Sequence, residues 1–138
     1  ESVRFHFDVD GENFTSAGQA SVQVKKNLRQ LGIPAEIIRR VSIAMYEGEI
    51  NMVIHAGGGR ADVVVSESSI NIILDDDGPG IADVELAMRE GYSTAPDNIR
   101  SLGFGAGMGL PNMKRYTDKM DIDTAPGKGT RITMRVDM

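Results

Sequence analysis

The chain has 138 residues, of which 41% are hydrophobic and 25% are charged, so we expect one globular domain that spans residues 1–138. The formal net charge of −5 argues against nucleic acid or an anionic membrane surface as a partner. The sequence contains no cysteine and no long apolar run, which excludes thiol chemistry and predicts a cytoplasmic protein without a membrane span.

The first third of the chain is predicted to form a strand and two helices. Apolar and polar residues alternate from Val3 to Val9, which is typical of a half-buried strand. Helical spacing then predicts a helix from Phe14 to Leu31, which the Gly-Ile-Pro sequence at 32–34 ends. A second, longer helix is predicted from Ala35 to about His55.

The second helix carries a polar edge beside its apolar face. Six small or apolar residues share a sector about 100° wide, as expected for a helix that faces a core: Ile37, Val41, Ala44, Met45, Gly48 and Met52. Glu47, Asn51 and His55 follow one edge of this sector at i, i+4 and i+8. Glu49 lies about 200° round the helix from Glu47 and is expected to be exposed.

A predicted hairpin leads into an acidic turn that is a candidate binding site. Its strands cover residues 61–66 and 69–74, and the turn that follows reads Asp-Asp-Asp-Gly-Pro-Gly-Ile at 75–81. The turn contains the pattern Asp76-x-Gly78-x-Gly80. Glycines let a ligand approach the backbone closely, although the same pattern is common in plain loops.

The remaining residues are predicted as a short helix, a long loop, a helix and two strands. Asp83 is expected to be the N-cap of a helix that ends at Met88. Residues 89–108 lack periodicity and are predicted to be a long loop, which in a compact domain is usually a lid or a disordered segment. A helix from Met108 to Lys119 and strands at 120–124 and 130–136 complete the chain.

Glycines alternate with other residues where the lid meets the following helix. They occupy positions 103, 105, 107 and 109, and backbone N–H groups at such a helix start attract phosphate. The pattern is not a dinucleotide-binding fingerprint, because no strand precedes it and Met108 stands where a third glycine is needed. Gly-Lys-Gly-Thr at 127–130 is not a P-loop, because a strand rather than a helix follows.

Four of these segments, in this order, resemble a known superfamily. They are Glu47-x-x-x-Asn51, Asp76-x-Gly78-x-Gly80, the glycine-rich lid, and Gly127-x-Gly129-Thr130. The combination is similar to the GHKL nucleotide-binding domain shared by gyrase, the 90 kDa heat-shock protein, histidine kinases and mismatch-repair ATPases. The sequences Glu-Gly-Tyr-Ser-Thr at 90–94 and Gly-x-Gly-Leu-Pro at 107–111 look most like bacterial anti-sigma-factor serine/threonine kinases.

This resemblance implies a fold and a ligand. The fold is an α/β (α+β) two-layer sandwich of the Bergerat ATP-binding type, with a mixed, mostly antiparallel sheet and helices on one face. The element order predicted from the residues, β-α-α-β-β-α-lid-α-β-β, is compatible with it. The implied cofactors are ATP and Mg2+.

The resemblance also implies roles for individual residues. Asp76 would accept from the adenine amino group, with Asp75 and Asp77 as alternatives if the register differs. Asn51 would be the magnesium ligand, and Glu47 would be the catalytic base. His55 would contact phosphate or cap its helix, and the two options stay open. The other implied nucleotide-binding residues are Gly78, Gly80, Ile81, Gly105, Gly107, Met108, Gly109, Leu110 and Thr130.

The implied function is that of a protein serine/threonine kinase and switch protein. Its substrate would be a small regulatory partner of the anti-sigma-factor-antagonist type. The alternative is a non-catalytic module whose nucleotide state controls sequestration of a sigma factor or another regulator. A detached ATP-binding half of a histidine kinase is less favoured, because no helical hairpin with a phosphoacceptor histidine is present in the sequence. A homodimer is left open.

Overall fold

The computed structural model describes residues 2–11, 17–89 and 109–138. In chain order the elements of these residues are β1 (Val3–Asp10), α1 (Gln19–Gln30), α2 (Ala35–Ala56), β2 (Gly58–Val65), β3 (Ser69–Asp76), α3 (Val84–Ala87), α4 (Gly109–Arg115), β4 (Lys119–Thr124) and β5 (Thr130–Asp137). Among these helices, none combines the length and the apolar composition that are needed to cross a membrane.

The strands form a five-stranded sheet in the order β1-β2-β3-β5-β4, and each neighbouring pair is antiparallel. Buried residues alternate along β2, β3 and β5, so one face of the sheet packs on the helices and the other does not. The second face carries charged side chains such as Asp62, Asp75 and Arg131, and no described element covers it. The predicted two-layer α+β sandwich is confirmed.

Helix α2 lies against the sheet with the face that its periodicity predicts. Val41, Ala44 and Met45 are fully buried there. A side chain at Gly48 would overlap Leu74 of β3, so only glycine permits this close approach of helix and sheet. Ile38 is buried as well and joins the core.

Glu49 is buried, and the prediction that it is exposed is wrong. Its Oε2 accepts from the backbone N–H groups of Gly18 at 2.9 Å and Ala20 at 3.2 Å. Its Oε1 accepts from the N–H of Ser21 at 3.0 Å and from the Ser21 hydroxyl at 2.8 Å. Helical spacing places Glu49 away from the sheet, but α1 covers that side of α2.

The carboxylate of Glu49 therefore caps α1 from a different helix. Gly18, the N-cap residue of α1, has no side chain that can accept these N–H groups. A negative charge at a helix N-terminus is also favoured by the helix dipole. The interaction ties α1 to the middle of α2 through 2.8–3.2 Å hydrogen bonds.

Helix boundaries differ from the predicted ones at two places. Helix α1 begins at Gln19, because residues 17–18 form a turn; the predicted start at Phe14 lies outside the described residues. Helix α4 ends at Arg115 rather than at Lys119, because Lys119 pairs with Arg135 in the sheet. Its predicted start at Met108 also lies outside the described residues.

Other boundaries agree more closely with the sequence. Asp83 caps α3 as predicted, since its Oδ1 accepts from the N–H of Leu86 at 3.1 Å. Strand β2 begins at Gly58, three residues before its predicted start, because Gly58 pairs with Asp10 of β1.

We expect Glu49→Gln to lower the free energy of unfolding by roughly 2–4 kcal/mol, since each buried donor left unsatisfied costs about 1–3 kcal/mol. The amide group of glutamine presents N–H groups to the N–H groups of α1 and satisfies only part of them. Urea unfolding measures the change. Glu36→Gln is the matched control, because Glu36 lies on the same helix and its side chain is 70% exposed. Equal stability of the two variants would contradict the capping role.

Candidate functional site

Asp76 lies at the end of β3 with one carboxylate oxygen held by the backbone. Its Oδ1 accepts from the N–H of Gly78 at 3.0 Å and from the N–H of Thr130 at 3.2 Å. No donor among the described residues reaches the second oxygen, Oδ2. Partial burial raises the pKa of Asp76, and the two backbone hydrogen bonds oppose that rise. The carboxylate is thus fixed through one oxygen and can accept a ligand donor with the other.

Two turns meet beside Asp76 through the hydroxyl of Thr124. This hydroxyl lies 2.9 Å from the N–H of Ile81, 3.0 Å from the carbonyl oxygen of Gly129 and 2.9 Å from the hydroxyl of Thr130. A hydroxyl has one hydrogen, and the carbonyl of Gly129 can only accept it. Thr130 therefore donates to Thr124 if all three hydrogen bonds form together, and its own oxygen keeps acceptor capacity.

Glycine is required where these two turns pack against each other. Gly129 has φ +77°, and a side chain there would overlap the carbonyl oxygen of Asp76. Gly80 also has φ +77°, and a side chain there would overlap the carbonyl oxygen of Ala125. The N–H of Gly127 donates to the carbonyl oxygen of Pro79 at 2.7 Å, which closes the contact between the turns.

The polar edge of α2 contacts α4. The side chain of Asn112 hydrogen-bonds with Glu47. Partial burial raises the pKa of Glu47, and the hydrogen bond from Asn112 moves it partly back. Arg40 lies about two helical turns before Glu47 and does not neutralise it, because its Nη2 pairs with Asp118 at 3.1 Å instead.

Asn51 lies one turn after Glu47 and contacts the first residue of α4. A Cβ atom placed on Gly109 would lie 2.8 Å from both Nδ2 and Oδ1 of Asn51. Among the described residues, none hydrogen-bonds with the Asn51 amide. Glu47 and Asn51 therefore face the same short helix, at Asn112 and Gly109, and α2 and α4 run in opposite directions at this contact.

The other predicted residues lie in different environments. Part of the His55 side chain is exposed to solvent. Neighbouring atoms still desolvate the imidazole, and this desolvation lowers its pKa. Ile81 packs at the edge of the core, and its N–H is bound to Thr124. Leu110 is buried in the core, so its side chain is directed away from solvent. Gly78 lies against Ala56 at the end of α2, with 2.6 Å between a Cβ placed on Gly78 and the Ala56 Cβ.

Part of the predicted site lies outside the described residues. This applies to Gly105, Gly107 and Met108, and to the predicted lid from residue 90 onward. Among the described residues, the turn at 75–81 meets the turn before Thr130 through Thr124 and meets the end of α2 at Ala56. The contacts given above join Glu47 and Asn51 to α4, and a common nucleotide site for all these residues stays a prediction.

The described residues fit the chemistry of a magnesium nucleotide at two points. The half-buried Asn51 amide offers a carbonyl oxygen, a ligand type that Mg2+ accepts when phosphate oxygens and waters complete its shell. The unfilled oxygen of Asp76 is an acceptor that suits an exocyclic amino group. Among the described residues no group of three His, Asp or Glu side chains is arranged to hold a metal without a phosphate ligand.

Sequence reasoning missed Thr124 and Asn112. Thr124 was assigned only to a strand, yet it pairs directly with Thr130 in the sheet, and the predicted hairpin implies that pairing. Asn112 was assigned only to a helix, where it follows Gly109 by three residues and shares its face. The spacing gave a signal in both cases. However, Ile81, which binds Thr124, and Glu47, which binds Asn112, lie on distant segments of the chain.

Comparison with known proteins identifies relatives of this chain. A family model described as histidine kinase-, DNA gyrase B- and HSP90-like ATPase matches residues 36–138. The anti-sigma F factor of Clostridium novyi (strain NT) is 37% identical over 122 residues, which cover 84% of this chain and 82% of that protein. The serine/threonine-protein kinase RsbT of Bacillus subtilis (strain 168) is 30% identical over 118 residues, covering 82% of this chain and 83% of RsbT.

Two solved structures share the fold at lower sequence identity. The structure of the RsbU and RsbW domains of Rv1364c from Mycobacterium tuberculosis matches 97% of this chain with a TM-score of 0.64 at 16% identity. This chain spans 31% of that longer one. The match to the mycobacterial sensor histidine kinase MprB covers 98% of this chain and 97% of the MprB chain, with a TM-score of 0.56 at 18% identity.

We expect Asn112→Ala to raise the pKa of Glu47 further, because the variant removes the hydrogen bond that lowers it and keeps the burial that raises it. Titration of the Glu47 carboxyl carbon by NMR measures the change. Asn71→Ala, on the sheet face that packs on no described helix, is the control and should leave Glu47 as it is. An unchanged or lower pKa in Asn112→Ala would show that the two side chains do not interact.

Proposed function

Since the chain belongs to the family of histidine kinase-, DNA gyrase B- and HSP90-like ATPases, we propose that it is an ATP-dependent protein serine/threonine kinase and switch protein of the anti-sigma-factor type. The observation that carries the proposal is Glu47. It is a half-buried carboxylate with a raised pKa, and it lies one helical turn before Asn51 on the same edge of α2.

Adenine is recognised at the end of β3. The free oxygen of Asp76 accepts from the amino group of the base, while the N–H groups of Gly78 and Thr130 hold the other oxygen. Guanine carries a carbonyl at the corresponding ring position and would face the carboxylate with an acceptor. Ile81 and the turn at Gly80 border the same space, and Thr130 adds an acceptor there.

Residues of α2 and of the start of α4 would hold the phosphates. Asn51 would provide an oxygen ligand for Mg2+, and Gly109 leaves room beside that amide because it has no side chain. Mg2+ bound there would neutralise charge on the phosphates. Gly105, Gly107, Met108 and the backbone of Leu110 complete the phosphate cradle in this proposal, and His55 stands one turn beyond Asn51 as a further phosphate contact.

Glu47 acts as the general base in phosphoryl transfer. It accepts the proton of a serine or threonine hydroxyl of the partner protein, whose oxygen then bonds to the γ-phosphorus as the bond to ADP breaks. Burial raises the pKa of Glu47 and so strengthens it as a base, while Asn112 orients the carboxylate. The products are ADP and a phosphoprotein.

The partner is a regulatory protein, and the reaction takes place in the cytoplasm. The antagonist of an anti-sigma factor is the proposed substrate, in keeping with the kinase named among the relatives. A second candidate function is sequestration of a sigma factor without catalysis. The relative at 37% identity named as an anti-sigma factor favours it.

We expect Asp76→Asn to weaken ATP binding roughly ten- to 150-fold, because loss of a hydrogen bond to a charged group costs about 1.5–3 kcal/mol. Calorimetric titration measures the affinity, and GTP should bind poorly to the parent protein. Asp77→Asn makes the same chemical change next to Asp76 on a side chain that is 86% exposed, and should bind ATP normally. If only Asp77→Asn loses affinity, the adenine contact belongs to the neighbouring residue.

We expect Glu47→Gln to bind ATP and the partner normally and to transfer phosphate about 10²–10⁴-fold more slowly, the usual cost of losing a general base. Radiolabelled transfer from ATP to the partner measures the rate. Glu36→Gln on the same helix is the control and should retain full activity. If the parent forms no phosphoprotein while ATP still changes its affinity for the partner, sequestration is the function and the kinase proposal fails.

A further inference from the structure

A groove of about 500 Å3 lies between α1 and α2, far from Asp76. Its apolar wall includes Ile33, Ile38 and Ile43, and its basic residues are Lys25, Arg29 and Arg39. The turn of Asp76 lies beside Ala56 at the other end of α2, which is about 25 Å away at 1.5 Å per helical residue. The groove therefore belongs to a different part of the molecule than the proposed nucleotide site.

The basic residues of the groove are opposite in sign to the net charge of the whole chain. The formal net charge is −5, yet three basic side chains line this one groove. Within the described residues, neither Lys25 nor Arg29 forms an ion pair. Arg39 lies 3.2 Å from Glu36 and its guanidinium lies 5.4 Å from the centroid of the Tyr116 ring. Lys25 and Arg29 are thus the cations available to a partner with negative charge.

Apolar residues continue the groove toward the start of α1. Val22 precedes Lys25 and Arg29 at helical spacing on α1, and it is 51% exposed. Tyr46 follows Arg39 and Ile43 at helical spacing on α2, and it is 40% exposed.

The two ends of the surface differ in character. A Cβ atom placed on Gly18 would lie 3.1 Å from Cε1 of Tyr46, so Tyr46 lies next to the start of α1, near Val22. The surface is therefore a strip that has Val22 and Tyr46 at one end and, at the other, the groove in which basic and apolar side chains lie together. A contiguous exposed apolar patch with polar residues at its rim is typical of protein interaction sites.

A polar group in the groove wall also lacks a partner. Ser42 lines the groove, and its Oγ has no hydrogen-bond partner and almost no contact with solvent. A hydroxyl in this state has lost its hydrogen bonds to water without replacement.

We propose that this strip docks an acidic amphipathic segment of a partner protein. Apolar side chains of the segment pack on Ile33, Ile43 and Tyr46, and its carboxylates pair with Lys25 and Arg29. Lys25 and Arg29 are four residues apart, a spacing of about 6 Å that matches carboxylates one helical turn apart. The Ile side chains favour a protein segment over nucleic acid, which the net charge of the chain repels.

The docking site goes beyond the proposed function and does not depend on Glu47. It is centred about a third of a turn round α2 from the edge that carries Glu47 and Asn51. The same site serves a partner that is phosphorylated or one that is sequestered. Variants in the groove leave the residues around Asp76 intact, so ATP binding reports on the nucleotide site separately.

The test uses a fluorescein-labelled helical peptide of leucine and glutamate at heptad spacing, with fluorescence anisotropy as the readout. We expect saturable binding by the whole chain that weakens with salt, and no binding of the same peptide with lysine in place of glutamate. Arg29→Glu should lower the affinity about tenfold or more, because it places like charges opposite each other. Ile43→Ser should lower the affinity without changing its salt dependence.

Lys26→Glu is the matched control. It makes the same kind of charge change on the same exposed helix, three residues from Arg29, and Lys26 does not line the groove. It should bind the peptide within about threefold of the parent, since a rim charge outside the contact acts only at long range. All variants should melt like the parent and bind ATP equally.

Several results would overturn the proposal. They are no saturable peptide binding by the parent, an equal loss in Lys26→Glu and Arg29→Glu, or a loss of ATP binding in parallel with peptide binding. Binding to phosphatidylglycerol vesicles that Arg29→Glu abolishes would reassign the strip to a membrane surface. Sedimentation that shows a dimer in the parent but not in Arg29→Glu would reassign it to a second copy of the chain.

Discussion

The close contact between α2 and the sheet at Gly48 determines where the other parts of the molecule lie. Because a side chain at Gly48 would overlap Leu74, the helix axis runs close to β3 at that point. Glu47 and Glu49 flank this glycine and are directed to different neighbours: Glu47 to α4 and Glu49 to α1. Helix α2 thus positions the proposed catalytic base and anchors the preceding helix, α1, and both positions depend on how closely α2 packs on the sheet.

The described part of the site is built mainly from backbone hydrogen bonds. Asp76 is held by two N–H groups, and Thr124 joins the turn after β3 to the turn before β5. Backbone donors lose little conformational entropy when they bind, so they can hold a carboxylate at one orientation at low cost. This arrangement leaves a single carboxylate oxygen for the ligand, which suits recognition of one donor group and disfavours an acceptor.

Charge is distributed unevenly over this acidic chain. The turn at 75–77 concentrates carboxylates, although Arg60 and Arg131 pair with Asp75 and Asp77 on the sheet side. The groove between α1 and α2 concentrates basic residues about 25 Å away at helical rise. A nucleotide and an acidic protein segment would therefore meet different surfaces, and neither would compete with the other for a site. The structures at 16% and 18% identity share the fold of this chain.

The sequence by itself determined the elements whose signal is local. Alternation predicted β1 and the hairpin, helical spacing predicted α2 within one residue of its end, and Asp83 predicted the start of α3. The resemblance to the family, which the family model bears out, came from four segments in order: Glu47-x-x-x-Asn51, Asp76-x-Gly78-x-Gly80, the glycine-rich lid and Gly127-x-Gly129-Thr130. Only the tertiary structure decided that Glu49 is buried, that Asn112 meets Glu47, and that Thr124 joins two turns. The physical reason is that each of these contacts pairs residues far apart in the chain, so its energy appears only after the helices pack on each other and on the sheet.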